Sequence, residues 1–480
     1  ILPIHGYANL HKIILPFLTY LFCVYSAPDS EILLENELRK LECYHTWDLK
    51  REDTDLNFLE VKFSENILIK QEYIGNFQQN GLHFLAYIKF LQGYNAKSLE
   101  YLELALQKNT GVAKKCAVTY ASLAWVYHHM GDAAAAKSYI QKVRETYNTI
   151  PGNSPEALHR EVLSEKAWAL MHFSKKPHYY TQSKELFQEA LLKEPDDQEW
   201  NTGYAFALFH LEGLETTKEK RLPVEVSPAV QQLKKALIHD PGNPMLHVYL
   251  GLKCYKNGRN VEAWEHINKS IGMAPDNLTV VLRVAKFMKK VQSYDMALHI
   301  LLRMLKRAPN SSRLHHEIGN NYRWQAIRMG QPHDPKNIGR CIFHFEEGAR
   351  LNPSYIYPQV ELAKRYAEVN NAEEAEKKFQ KLFALPDLQP KDLQACHRMY
   401  GDFHLHHLGA VATAVKHYKL GMRLQKISTE WYQCRSRLFK VMHSDHKGIF
   451  NILEFLDSFR MAEQDHTDPA GHDSDECTRQ

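Results

Sequence analysis

The chain has 480 residues, of which 44% are hydrophobic and 24% charged, with a mean hydropathy of −0.46. This excludes a polytopic membrane protein, which needs several apolar runs of about 20 residues, and a wholly disordered chain, which buries too little apolar surface to offset ordering entropy. Sixty basic against 56 acidic residues leave a net charge of +4, so charge-driven recognition has to come from local distribution. Twenty-seven histidines mean that part of any positive potential depends on pH. The eight cysteines (Cys23, Cys43, Cys116, Cys254, Cys341, Cys396, Cys434 and Cys477) are scattered, with no CxxC and no Cys/His cluster at zinc spacing. The expectation is reduced, mostly buried thiols in a cytosolic protein, with no metal site and no cofactor.

In chain order, residues 1–30 come first as an apolar segment. A first residue of Ile is not expected to be a native start. Ile13–Pro28 carries no charge and follows Lys12. It has the form of a signal-peptide core ending in small residues and is too short for a comfortable membrane span. Translated upstream sequence, or an N-terminal piece packed on the core, fits it equally.

From there the dominant signal is a period. Pro241, Pro275 and Pro309 stand 34 residues apart, twice in succession, in the phrases HDPGN, MAPDN and RAPNS. Pro195 precedes Pro241 by 46 residues and Pro353 follows Pro309 by 44, which is 34 plus short insertions. A fixed period of 34 is the length of a tetratricopeptide repeat. Interior positions agree. Counting each proline as position 32, position 20 is Ser183, Ala229, Ala263 or Ala297, position 24 is Phe187, Leu233, Ile267 or Leu301, and position 8 is Gly251, Ala285 or Gly319. Small residues there let antiparallel helices approach closely. About nine helical hairpins are expected between Gly81 and Leu424. The fold class is an all-α, superhelical tetratricopeptide-repeat solenoid, with an N-terminal repeat subdomain over 31–210, central and C-terminal repeats over 211–445, and a divergent, largely disordered acidic tail over 446–480.

In such stacks the first helix of each pair lines the concave surface, and its inward residues recur at helical spacing. Those positions include Trp168 and His172, then Phe206 and His210, then Tyr249 and Tyr255, then Arg283, Lys286, Lys289 and Lys290, then Arg313, His316, Asn320 and Arg323. Only Asp295 is acidic between Val281 and Asn310, against seven bases. Interleaved cations and rings suit single-stranded nucleic acid, because positive charge tracks phosphates and rings stack bases. A second basic run, from Lys416 to Lys440, opposes seven bases to Glu430 alone. It either extends the same surface or is a solvated face.

Several phrases lie outside the generic repeat positions. Leu41-Glu-Cys-Tyr-His-Thr-Trp47, Phe84-Leu-Ala-Tyr87, Leu91-Gln-Gly93, Ala124-Trp-Val-Tyr-His-His-Met-Gly131, Lys166-Ala-Trp-Ala-Leu170, Gly203-Tyr-Ala205, Leu314-His-His-Glu-Ile-Gly319 and Cys341-Ile-Phe-His-Phe345 run in order. With them, residues 38–425 resemble the interferon-induced proteins with tetratricopeptide repeats. The resemblance implies a cytoplasmic, non-enzymatic antiviral effector of innate immunity. Such a protein binds foreign RNA 5′ ends, triphosphate or incompletely methylated cap, in a basic tunnel and blocks translation. Implied partners are single-stranded or 5′-end-modified RNA, with related repeat proteins or translation factors, and no membrane. Carried over by residue, Trp168 matches a tunnel tryptophan, Tyr180 a tyrosine at the 5′ end, Arg283 an arginine on phosphates and His316 a histidine of a His-His-Gln motif. Lys62 falls at an N-terminal basic position, and Phe206 at an apolar position near the cap pocket.

The departures from the family pattern are specific. His172 stands where the family has lysine and His210 where it has arginine. Val280 and Val284 replace tyrosines, and Glu317 replaces glutamine and repels phosphate. The family's final repeat is expected to be missing after about Lys447. With His172 and His210 in place of permanent cations, RNA affinity should rise as pH falls from about 7.5 to 6, through the ordinary histidine pKa near 6.5. The competing function is a protein-interaction scaffold without RNA-end recognition, for which Asn320 and Arg323 suit a peptide clamp. No P-loop, GxGxxG, HExxH or GxSxG occurs, which argues against an enzyme.

Overall fold

The computed structural model describes residues 31–68, 77–108, 116–148, 155–215, 222–385, 388–426, 428–444 and 449–463. The apolar segment of residues 1–30 and the acidic end from residue 464 lie outside these. Among the described residues there is no strand. After a helix over residues 31–38 and a 3-10 turn at Arg51–Asp53, the helices are α1 (Leu56–Leu68), α2 (Phe77–Leu91), α3 (Asn95–Lys108), α4 (Ala117–His129), α5 (Ala133–Asn148), α6 (Pro155–Phe173), α7 (Pro177–Lys193), α8 (Gln198–Glu215), α9 (Pro228–His239) and α10 (Pro244–Lys256). They continue as α11 (Asn260–Met273), α12 (Leu278–Lys290), α13 (Tyr294–Arg307), α14 (Ser312–Arg328), α15 (Pro335–Leu351), α16 (Ile356–Glu368), α17 (Ala372–Phe383), α18 (Pro390–His406), α19 (Val411–Leu424), α20 (Thr429–Ser444) and α21 (Ile449–Glu463). Helices α2 to α5 and α8 to α19 form eight of the nine expected hairpins, and α6 and α7, where the remaining one was expected, belong to different units.

The chain divides into two units, one of residues 1–54 with 76–174 and one of 55–75 with 175–480. This differs from the division expected between 210 and 211. Two contacts account for it: α7 packs on α8 and so stays with the second unit, and α1, which precedes the first hairpin in sequence, packs on α14, far downstream. Glu65 accepts from Ser311 Oγ at 2.8 Å and from the Arg313 backbone N–H at 3.2 Å.

The proline phrases act as helix punctuation. Each proline follows the second helix of a pair, where it cannot continue the helix. The polar residue two positions on caps the next helix. Asn243 accepts from Met245 N, Asn277 from Thr279 N and Val280 N, and Ser311 from Leu314 N. Within each pair, position 8 meets position 24. A Cβ added to Gly251 would lie 3.0 Å from Ile267, and one added to Gly319 would lie 2.6 Å from the Phe345 ring. Gly401 repeats the contact with Tyr418, and Gly203 on α8 meets the Phe187 ring on α7, between neighbouring pairs. Phe187, Phe345 and Tyr418 are almost wholly buried. The glycines are therefore the room these rings occupy.

In the first unit the aromatic segment Cys43–Leu49 seals the side of the first hairpin. The Tyr44 ring lies 4.7 Å from Trp47, 5.7 Å from Phe84 and 5.9 Å from Tyr87. Trp47 Nε1 donates to Glu42 at 2.7 Å, and Tyr87 donates its hydroxyl to the Leu49 carbonyl at 2.7 Å. Buried His83 lies between Glu165 and Thr119, at 2.7 Å from each. The phrases around Tyr44 and Phe84, distinctive in sequence, are thus one packed core.

At the far end, α21 corrects the tail boundary. Residues 449–463 are helical, and Ile452, Phe455, Leu456 and Phe459 join the cluster of Tyr418, Met422, Trp431 and Leu438. The apolar period there is masked in sequence by the acidic residues that follow. The second basic run is largely engaged. Lys419 and Arg423 lie over Phe455 at 5.2 and 5.4 Å, Lys426 lies over Phe459 at 5.6 Å, and Arg437 pairs with Asp402 at 3.2 Å.

Three hairpins of the second unit share a device absent from the sequence pattern. His247 and His266, His315 and His344, and His397 and His417 each bring Nδ1 to Nδ1, at 2.9, 3.1 and 2.9 Å. The ring centroids are 5.2, 5.2 and 5.1 Å apart, so the rings meet end to end. Such a contact holds one proton between two neutral imidazoles. Burial holds His247, His344, His397 and His417 down at about 4.

Two outcomes follow. Gly319→Ala gains helix propensity, about 1 kcal/mol at most, but drives a methyl into a ring that cannot retreat, a cost of about 1–3 kcal/mol. Chemical denaturation should therefore show a net loss of stability, relieved when Phe345 is also replaced by Leu. The histidine pairs contribute stability that is complete above about pH 6.5 and is lost as pH falls toward 4, because the unfolded chain takes up protons first. Urea midpoints should fall between pH 7 and 4.5, and the fall should be shallower in the His397→Leu/His417→Leu double variant.

Candidate nucleic-acid interface

Helical spacing presents successive inward residues on the first helix of each pair, and eight of the ten expected site residues fall in the second unit. Lys62 comes from α1, Tyr180 from α7, Phe206 and His210 from α8, Arg283, Lys286 and Lys290 from α12, and His316 from α14. Trp168 and His172 belong to the first unit. They sit one turn apart on α6 and stack at 5.6 Å with an interplanar angle of 24°.

The second unit gathers an aromatic cluster. Tyr180 and His210 stack at 4.7 Å and 9°. Phe206 meets Tyr249 edge to face at 4.5 Å, and Phe209 lies 4.3 Å from the same ring. The Tyr249 hydroxyl is 3.5 Å from His210 Nε2. Arg283 lies over the Tyr249 ring, its guanidinium carbon 5.3 Å from the centroid. Burial pushes the Tyr180 hydroxyl up to about 12, so it stays a neutral donor.

The expectation of a pH-dependent cation at His210 is overturned. Burial, then the charges of Arg283, Lys62, Lys175 and Lys256, hold its imidazole at about 3. The ring is neutral across the physiological range and works as a stacking surface. Arg283, at the centre of the same group, has no ion pair among the described residues, and neither has Lys62. Lys62 Nζ lies 5.0 Å from the Phe63 ring.

The cationic stripe on α12 is more divided than its spacing suggests. Glu317 is 6% exposed and pairs with Lys286 at 3.5 Å and Lys289 at 3.3 Å. Burial opposes its charge, but the two lysines outweigh burial and hold the carboxyl at about 2. Its negative charge is therefore spent on these lysines, where the sequence reading set it against a ligand. Lys290 lies over Tyr255 at 5.7 Å. His316 is neutral as well, held at about 4 by burial. Asn320 donates to its Nε2 at 3.0 Å, and its Nδ1 is 3.2 Å from the Tyr355 hydroxyl. His316 therefore orients its neighbours and adds no charge. Val280 and Val284 are fully buried, so their side chains belong to the helix contacts and to no stacking surface.

The residues proposed for a peptide clamp are also engaged. Arg323 donates to Glu368 and to the Pro332 carbonyl, both at 2.7 Å. An open cavity of ≈ 510 Å³ on α20, lined by Tyr432, Arg435, Ser436, Phe439, Lys440 and His443, shares none of these residues.

Sequence reasoning did not find what holds Lys62 in place. The Arg313 guanidinium donates to the Lys62 carbonyl at 3.0 Å and pairs with Glu65 at 3.6 Å. These partners are about 250 residues apart, and no local signal links them. Arg313 and Glu65 are both nearly buried. Arg313→Met leaves a buried carboxylate without its cation, and thermal denaturation should show a loss of about 3–5 kcal/mol. Adding Glu65→Gln should recover part of it.

The arrangement defines a class, a tetratricopeptide-repeat solenoid whose inner helices carry an aromatic cluster beside cations that have no carboxylate partner among the described residues. No family model matches the chain. It is 31% identical over 414 residues to the Homo sapiens protein IFIT1 homolog B, covering 82% of this chain and 85% of that protein. It is 29% identical over 413 residues to the Homo sapiens antiviral innate immune response effector IFIT1, covering 82% and 84%. Two solved structures resemble it over 91% of this chain and all of theirs. The human IFIT1 dimer with m7Gppp-AAAA has a TM-score of 0.62 at 26% identity, and the human IFIT1 dimer with PPP-AAAA one of 0.60 at 27%. The chain belongs to the interferon-induced proteins with tetratricopeptide repeats. Among the described residues no helix is long and apolar enough to cross a membrane.

Proposed function

We propose that this protein binds the 5′ end of single-stranded foreign RNA, with its phosphate chain at Arg283 and Lys62 and its first bases against the rings of Tyr180, Phe206, His210 and Tyr249. The observation that carries this reading is the juxtaposition of two cations, without carboxylate partners among the described residues, and a neutral aromatic cluster. A 5′-triphosphate and the triphosphate bridge of a cap present the same chain of charge, so both ends fit the cations. The similar structures with m7Gppp-AAAA and PPP-AAAA support the choice of ligand. Lys286 and Lys290 add exposed charge, and His316 and His210 contribute position and stacking. Trp168 and His172 offer a further stacked pair on the first unit.

Binding is the whole activity in this reading, with no reaction catalysed. The protein acts in the cytoplasm as an antiviral effector, holding foreign RNA away from translation. Related repeat proteins or translation factors are its protein partners. The scaffold reading is disfavoured because Asn320 and Arg323 already serve His316, Glu368 and Pro332.

The test is binding of one short RNA carrying a 5′-triphosphate, a cap or a hydroxyl, over a salt series. Triphosphate or cap should bind at least about tenfold more tightly than hydroxyl, a difference of about 1.4 kcal/mol. Arg283→Glu should remove that preference, and the salt slope should fall by about 0.7 for each single-strand phosphate that is no longer neutralised. Equal affinity for all three ends would refute end recognition.

A further inference from the structure

The four cations of α12 do not have equal standing. Arg283 and Lys290 each lie over a neutral ring, Tyr249 and Tyr255, at 5.3 and 5.7 Å. A ring orients a cation without neutralising it, so their charge stays whole for a ligand. Lys286 and Lys289 share one carboxylate instead. Glu317, on α14, has one oxygen 3.5 Å from Lys286 Nζ and the other 3.3 Å from Lys289 Nζ. Its side chain is 7% exposed, against 60% for that of Lys286. The carboxylate therefore meets the lysines from the protein side and leaves the solvent side of Lys286 open.

Glu317 has little freedom to withdraw. Leu314 and Ile318 on the same helix are fully buried, and Gly319, two residues on, lies against the Phe345 ring. Two ammonium groups less one carboxylate leave a net charge of one, where the spacing along α12 alone gives two. A carboxylate oxygen at these distances also fills a place that a phosphate oxygen would take on an ammonium. A backbone phosphate arriving at Lys286 thus finds a cation already partly satisfied, with a negative charge behind it.

We infer that Glu317 is a built-in countercharge that keeps α12 from holding RNA by its backbone, so that binding depends on the 5′ end at Arg283 and Lys62. Glu317 is in this sense a specificity-determining residue, acting through Lys286 and Lys289 without touching the strand. The inference deepens the RNA-end reading and rests on it for the natural ligand, but the countercharge itself is measurable with any single-stranded RNA.

The experiment is binding of the full chain to one short 5′-hydroxyl RNA, and to the same strand with a 5′-triphosphate, over a salt series. Glu317→Gln keeps the shape of the side chain and removes its charge. The salt slope for the hydroxyl RNA should steepen by about 0.7, the share of one further phosphate, and at about 0.1 M salt its affinity should rise about fivefold, which is 0.1 raised to the power −0.7. Lys289→Gln does the reverse. One ammonium less one carboxylate leaves no net charge, so the slope should flatten by about 0.7. Glu317→Gln/Lys289→Gln restores a net charge of one and should return to the wild-type slope. Asp295→Asn, the same change in total charge on the second helix α13, should leave the slope unaltered. Circular dichroism checks that each variant is folded, and if Glu317→Gln is not, Lys289→Gln decides.

An unchanged slope in Glu317→Gln and Lys289→Gln refutes the countercharge, while a preference for triphosphate in the same titrations leaves the RNA-end reading standing. An equal change of slope in Asp295→Asn also overturns the inference, since any acidic residue would then serve. If the slopes shift as expected but wild type binds both ends equally, the countercharge stands and the RNA-end reading falls. If no variant binds either RNA, both fall.

Discussion

In three hairpins of the second unit, two antiparallel helices come close enough for one side chain to fill the space a glycine leaves empty. Gly319 accommodates Phe345 and Gly401 accommodates Tyr418, and a single added methyl at either site would overlap the ring. Close-packed interiors have no slack to absorb such an overlap. Because each helix pair buries its apolar face only against its own partner and its neighbours, these contacts set the spacing of the stack. The spacing in turn fixes where the inner residues of successive helices stand. The positions of Tyr180, Tyr249 and Arg283 follow from packing some distance away from them.

Electrostatics is resolved differently in different parts of the second unit. Near α16 the charges are matched. Burial opposes the Glu361 carboxyl, but Lys364 and Arg365 hold it at about 2. Around α12 they are matched in part, through Glu317. Around Lys62 and Arg283 no carboxylate partner stands among the described residues, while neighbouring Arg313 is held by Glu65. Like charges that stand close together cost stability in the free protein. That cost makes the site chemically receptive, since an anion entering it relieves repulsion as well as forming new contacts. Neutral His210 and His316 fit the same logic, because a further buried cation there would raise the cost.

His210 illustrates how burial changes the meaning of a residue. Read along the chain, a histidine in place of a permanent cation is a pH-dependent charge. Stacked on Tyr180 and surrounded by cations, it cannot take a proton near neutrality and becomes a ring. The paired histidines of the hairpins behave in the same way. His397 and His417 look like two titratable groups in sequence, but end to end they share one proton and serve as a helix clasp.

The repeat length, most of the hairpins, the prolines and caps that separate helices, and the family were all legible in the chain. Each of these is a local or periodic property. A proline ends a helix, and an Asn or Ser two residues later caps the next, whatever lies across the fold. The cations and rings of the inner face were legible too, because helical spacing alone brings them to one side. Which of them remain available is a matter of the folded arrangement. Glu317 neutralises lysines on another helix, Arg323 is consumed by Glu368, and α1 is drawn to Arg313 across about 250 residues of chain. Such pairings depend on distance in space and on burial, and the order of residues along the chain encodes neither.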